Sequence, residues 1–151
     1  MNELSNFEID GFFKDNPWYG GCMSKDDLRG TDRKFYVLNL GKPRAGGTHW
    51  VLMSMLAPVG IYFDNFAVHP PPVIETFMKR FRVKNVMNTN IVQDIRTSSC
   101  GYFAIYVADQ LCRGRFFTDI VDDFDGVELN EKRIQKWWNK YLKKSSLYRD
   151  I

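Results

Sequence analysis

Four side chains whose types could together perform acyl transfer occur in this chain in the order His49, Asp64, Gln93, Cys100. Cys100 lies in TSSCGYFAIYVADQL, where apolar residues at 100, 103, 104, 107, 108 and 111 recur with the helical period. That broad stripe predicts a buried helix from Cys100 to Leu111, with the cysteine in its first turn. Amide donors and the positive end of the helix dipole stabilise a thiolate at such a position. Ser98 and Ser99 stand where they can cap the helix, and Gly101 has no side chain to obstruct a substrate backbone. A free cysteine is more often a small buried residue, so the thiol alone decides nothing.

A thiol nucleophile needs a base, and the chain offers His49 and His69. His49 opens the apolar run HWVLMSML directly after a Gly-Gly turn, where a side chain can reach a cleft edge. His69 sits beside Pro70 in a loop and is read as a surface residue. The base in turn needs an acceptor that fixes its tautomer and stabilises the imidazolium. If 49–56 and 61–66 form a hairpin turning near Ala57-Pro58, pair sums close to 113 bring residues 49 and 64 side by side. Asp64 also has an ordinary reading as a turn residue next to Asn65. For the oxyanion, the Cys100 amide is one donor. The Gln93 side chain is another if the 94–99 loop curls back.

The elements that must position these residues follow from pattern. Residues 34–40 (KFYVLNL), 49–56 and 61–66 read as strands in two successive hairpins, with Gly41 to Gly47 as the first turn. Pro70 to Pro72 open a helix over 73–81, and 84–93 holds one or two further strands. Residues 1–33 are turn-rich, with one short helix from Ser24. A short helix is expected at 116–123, and Asn130 reads as the cap of a last helix over 131–144. The prediction is an α+β domain over 1–151: a small mixed, largely antiparallel sheet flanked by helices.

Bulk properties agree with one soluble domain. The 151 residues are 44% hydrophobic, enough for a core that needs no disulfide or metal. A formal charge of +3 is too small to indicate nucleic-acid binding by itself. The three cysteines, Cys22, Cys100 and Cys112, form no CxxC pair, which argues against a zinc ribbon or a dithiol redox site. The acidic N-terminal segment lacks the apolar run of a signal peptide, and no stretch has the length of a membrane span. Thiols kept reduced and no secretion are expected.

At THW, YFDNF and QDIRTSSCGYF, in that order, the chain resembles the adenain-type cysteine proteases. These are the maturation proteases of adenoviruses, with relatives in virophages and Polinton-type elements. The SUMO-specific proteases share the same His–Asp–Gln–Cys order. NPWYGGCMSKDDL, FYVLNLGKPRAGGTHW and LNEKRIQKWWNKYL extend the similarity over most of residues 12–144. The resemblance implies a papain-like fold with His49 as base, Asp64 as orienting acid, Gln93 as oxyanion donor and Cys100 as nucleophile. It implies Gly21 beside the cleft, a narrow substrate channel and cleavage after glycine, and it calls for no metal or organic cofactor. It further implies viral capsid or core precursors as substrates, a monomer, and location in the virion or at an intracellular assembly site. Trp50 has two readings, packing along the cleft against the imidazolium face or in the core. Adenoviral enzymes carry Glu where this chain has Asp64, and either carboxylate serves. Neither Cys22 nor Cys112 lies in the segment that bonds the adenoviral activating peptide, so that mode of activation is not expected.

Residues 131–144 hold six basic residues and one glutamate, interleaved with aromatics. Lys132, Arg133, Lys136 and Lys140 could contact DNA, or could be the solvated side of an amphipathic helix. Two other classes stay open: a protease that deconjugates a ubiquitin-like protein, and a non-catalytic capsid- or DNA-binding module.

Overall fold

The structure is a computed structural model and describes residues 3–29, 33–41, 49–82 and 84–149. The elements in chain order are α1 (Asn6–Phe13), β1 (Tyr19–Ser24), β2 (Phe35–Asn39), β3 (Trp50–Ser54), β4 (Gly60–Phe63), α2 (Pro72–Phe81), β5 (Asn85–Met87), α3 (Cys100–Cys112), α4 (Phe117–Val121) and α5 (Val127–Arg149). The strands form one sheet in the order β1-β2-β3-β4-β5. The two inner pairings are antiparallel and the two outer ones parallel, so the sheet is mixed but only half antiparallel.

Alternation along the strands explains why both faces are covered. Phe35, Val37, Trp50, Leu52 and Phe63 join one core with α1, α3, α4 and α5. Tyr36, Leu38, Val51, Met53 and Tyr62 join a second core with Ile74 and Met78 of α2. Central β3, WVLMS, is therefore buried at every position, as a strand between two helical layers must be. This strand carries the histidine at its start, and α3 packs across it with the cysteine at its own first turn.

Some expectations need correction. Residues 3–29 hold more order than their turn-rich composition suggests. Ser5 and Glu8 form a reciprocal capping box on α1, and β1 adds a parallel edge strand. The short helix expected from Ser24 is a single 3-10 turn over Lys25–Asp27. Of the one or two strands expected in 84–93 there is one, the three-residue β5. Asn130 is not a cap: α5 begins at Val127, and buried Asn130 bonds the Val92 carbonyl, the Asp125 carbonyl and the Asp125 amide. The turn expected over Gly41 to Gly47 lies outside the described residues beyond Gly41.

Candidate active site

Strand β4 ends at Phe63 because Asp64 starts a turn. The Ala67 amide donates to the Asp64 carbonyl at 2.9 Å, and the Phe66 amide donates to Asp64 Oδ1 at 3.0 Å. This Asx-type closure holds the carboxylate in one orientation. Asn88 grips the same residue from behind. Its Oδ1 accepts from the Asp64 amide at 3.1 Å and its Nδ2 donates to the Asp64 carbonyl at 2.7 Å. Asp64 and Asn88 are both buried.

So fixed, Asp64 Oδ1 meets His49 Nε2 at 2.8 Å. The hairpin register is Leu52 with Phe63 and Met53 with Tyr62, a pair sum of 115 rather than 113. Extended, that register sets residue 66 opposite His49, and the Phe66 ring does stack on the imidazole at 5.2 Å. Asp64 reaches the same histidine because the chain turns at this point. Being a turn residue and being the acid partner are thus one arrangement.

With Nε2 held by Asp64, Nδ1 is the ring nitrogen left for Cys100, with which His49 also hydrogen-bonds. Burial disfavours the imidazolium, but Asp64 and Cys100 outweigh it and raise His49 to about 9. Cys100 is buried, and its sulfur accepts from the Trp50 amide at 3.5 Å. Ser99 occupies the N-cap position of α3, but its side chain makes no capping bond. Ser99 turns its hydroxyl to Glu131 Oε1 instead, at 2.5 Å. His49, Asp64 and Cys100 are therefore brought together from β3, the turn after β4, and the start of α3.

Gln93 lies in the 88–99 connection and is buried. Its Oε1 accepts from Asn65 Nδ2 at 2.7 Å, and its Nε2 donates to Thr97 O at 3.2 Å and to Thr97 Oγ1 at 3.0 Å. The loop does curl back, and it does so on Gln93 itself.

Trp50 follows its core reading: it is buried, its Nε1 donates to the Leu4 carbonyl, and Phe66 is the ring that stacks on His49. A Cβ on Gly101 would press on Trp50 and Leu4, so the space above this glycine is filled by the chain's own N-terminal residues. Gly21 has φ +134 at the bulge of β1, a conformation that favours glycine. An open cavity of about 510 Å³ borders Leu4, Cys22, Asn39 and Trp50. On α5, Lys132, Lys136 and Lys140 line one shallow groove with Lys143, whereas Arg133 is not among its lining residues and its charge acts on Asp123. Among the described residues no cluster of His, Cys, Asp or Glu could hold a metal ion, and no helix is long and apolar enough to cross a membrane.

Sequence reasoning missed Asn88, Phe66 and Glu131. Phe66 and Asn88 follow strand ends in unremarkable polar or aromatic surroundings. Glu131 had one visible mark, as the sole acid in the basic stretch 131–144.

No protein-family model and no curated relative matches this chain. Two crystal structures of the ASFV pS273R protease, one with selenomethionine, do match in fold. Each is 17% identical and covers 88% of this chain, with TM-scores of 0.61 and 0.63. This chain spans 66% of that protease chain. The fold is that of a cysteine protease.

Proposed function

We propose that the chain is a cysteine endopeptidase with Cys100 as nucleophile, His49 as base and acid, and Asp64 as the residue that orients His49. The observation that carries this reading is the His49–Asp64 contact of 2.8 Å beside Cys100 at the start of α3. Three separate elements would not converge on these residue types for packing alone, since a buried carboxylate is costly unless paired.

In the proposed cycle Asp64 holds the Nε2 proton of His49 and Nδ1 holds the proton taken from the thiol, so that the two groups rest as imidazolium and thiolate. The Cys100 sulfur attacks the peptide carbonyl carbon, forming a C–S bond and an oxyanion. The Cys100 amide and a Gln93 side-chain N–H stabilise that charge. The C–N bond then breaks as His49 returns the proton to the leaving amine. Water attacks the thioester with His49 accepting its proton, and the C–S bond breaks to free the acid product and the thiolate.

The finer assignment follows the adenain resemblance: cleavage after glycine in viral capsid or core precursors during maturation. The basic row Lys132, Lys136, Lys140 favours contact with an anionic polymer such as DNA, and Arg133 is dropped from that set. The test is incubation of wild type and Cys100→Ala with capsid and core precursors of the parent virus, followed by sequencing of the new termini. Cuts after glycine made only by wild type support the reading. Identical fragment patterns for both proteins would end it, and faster release of a folded ubiquitin-like protein would move it to the deconjugating class.

A further inference from the structure

We propose that Glu131 is a positioning residue that holds Gln93 ready for the oxyanion, acting through Ser99 and Thr97. This rests on the reading of Gln93 as an oxyanion donor. A continuous run of hydrogen bonds leads from the end of β4 to the first turns of α5. Asn65 Nδ2 donates to Gln93 Oε1, and Gln93 Nε2 donates to Thr97 Oγ1 at 3.0 Å. Thr97 Oγ1 lies 3.0 Å from Ser99 Oγ, and Ser99 Oγ donates to Glu131 Oε1.

Direction is what gives this run its meaning. A carboxylate only accepts, so the Ser99 proton points to Glu131 and the Ser99 lone pairs face Thr97. The one Thr97 hydroxyl proton is then directed at Ser99 Oγ, with the Asp94 carbonyl 2.9 Å away as a second acceptor, so the Thr97 lone pairs face Gln93. The Thr97 carbonyl, 3.2 Å from Gln93 Nε2, likewise only accepts. Every acceptor on that side therefore calls for the NH2 end of the Gln93 amide, and a reversed amide would set oxygen against oxygen. Bonds aligned head to tail also strengthen one another. For one Gln93 N–H to serve the oxyanion, the two Thr97 acceptors must share the other.

The anchor is itself well held. Asn130, next to Glu131, is buried and bonds the Val92 carbonyl, which directly precedes Gln93. The first turns of α5 thus hold both ends of the 93–99 loop. This explains the one acid in the basic stretch 131–144 of α5, and why the Ser99 side chain makes no capping bond to α3.

The test uses the full chain as Glu131→Ala, Glu131→Gln, Gln93→Ala and the double variant Glu131→Ala/Gln93→Ala. A fluorogenic peptide amide with Gly-Gly before the scissile bond reports kcat and KM. Iodoacetamide alkylation of Cys100 reports the thiol–imidazole pair. Loss of an oxyanion donor costs about 100-fold or more in kcat, so its misplacement in Glu131→Ala is expected to cost roughly 10- to 100-fold. KM and Cys100 alkylation should hold. Glu131→Gln keeps an oxygen for Ser99 and should stay near wild type, which separates the role from a folding defect. In the Gln93→Ala background, Glu131→Ala should cost nothing further. Additive losses, or an equal fall in Cys100 alkylation, would overturn the proposal. Wild-type kcat in Gln93→Ala would remove the oxyanion role and this proposal with it, leaving Cys100 as nucleophile untouched. One readout needs no turnover: the Gln93 side-chain amide protons should exchange slowly in wild type and fast in Glu131→Ala. Equal exchange in both would overturn the proposal even if no peptide is cut.

Discussion

Replacing Asp64 by Asn removes one negative charge and leaves the side-chain shape. The charge faces His49 Nε2 at 2.8 Å, on a residue whose side chain is only 2% exposed, so solvent screens it weakly. His49 stands at about 9 against an ordinary 6.5, a difference that corresponds to about 3 kcal/mol in favour of the imidazolium. Burial works against that form, so Asp64 and Cys100 together supply more than the net figure. A single opposite charge at this range supplies roughly 1–3 pH units. In Asp64→Asn the imidazolium should therefore lose its proton about 1–3 pH units lower, at roughly pH 6–8. The assay is the ratio of Cys100 alkylation rates by iodoacetate and iodoacetamide across pH. The anionic reagent is favoured only while His49 is charged, so the ratio should fall through about pH 9 in wild type and well below it in the variant. Stability carries the same signature. A histidine raised in the folded state stabilises it fully below its unfolded value near 6.5, and that contribution is lost as pH rises through about 9. Urea midpoints of wild type should decline across that window more than those of Asp64→Asn. Coincident ratio profiles for the two proteins would refute the reasoning.

Burial and nearby Asp10 push Cys22 up to about 12, so mass spectrometry after alkylation at pH 8 should find it almost unlabelled in the folded protein. Asn88→Ala strands the buried Asp64 amide and carbonyl and should cost about 1–3 kcal/mol in urea unfolding, with a fall in kcat/KM as Asp64 loosens. At Gly20 a methyl group would overlap the ring of buried Tyr36, so Gly20→Ala should lose about 1–3 kcal/mol by thermal or urea denaturation. Substituting Lys132, Lys136 and Lys140 together by Ala should weaken DNA affinity and flatten its log–log salt dependence by about 3, measured by fluorescence anisotropy. An unchanged slope would remove DNA from that face.

The parts legible in the sequence are those with strong local periodicity. The apolar stripe of α3 and the runs KFYVLNL and HWVLMSML fall within a residue or two of their observed bounds. Strand β1 was hidden because YGGCMS has two glycines and no alternation, and its place is decided by parallel pairing with β2. The capping box on α1 was present as Ser5 and Glu8 but is a short signal beside a long turn-rich stretch. Within the site, Asp64 was legible through hairpin arithmetic that was two positions off, because a turn rather than a ladder pair delivers it. Asn88, Asn130 and Glu131 were not legible, since buried side-chain bonds between distant segments leave no pattern in either segment alone. Asn130 looked like a cap for that reason, although its partners are Val92 and Asp125.

The central claim is that His49 activates Cys100. The most direct measurement is the iodoacetamide rate of each cysteine at pH 7, located by mass spectrometry, in wild type and His49→Ala. The account predicts that Cys100 reacts at least about tenfold faster than Cys22 in wild type, and that the advantage disappears without His49. Equal rates for Cys100 in the two proteins would contradict it.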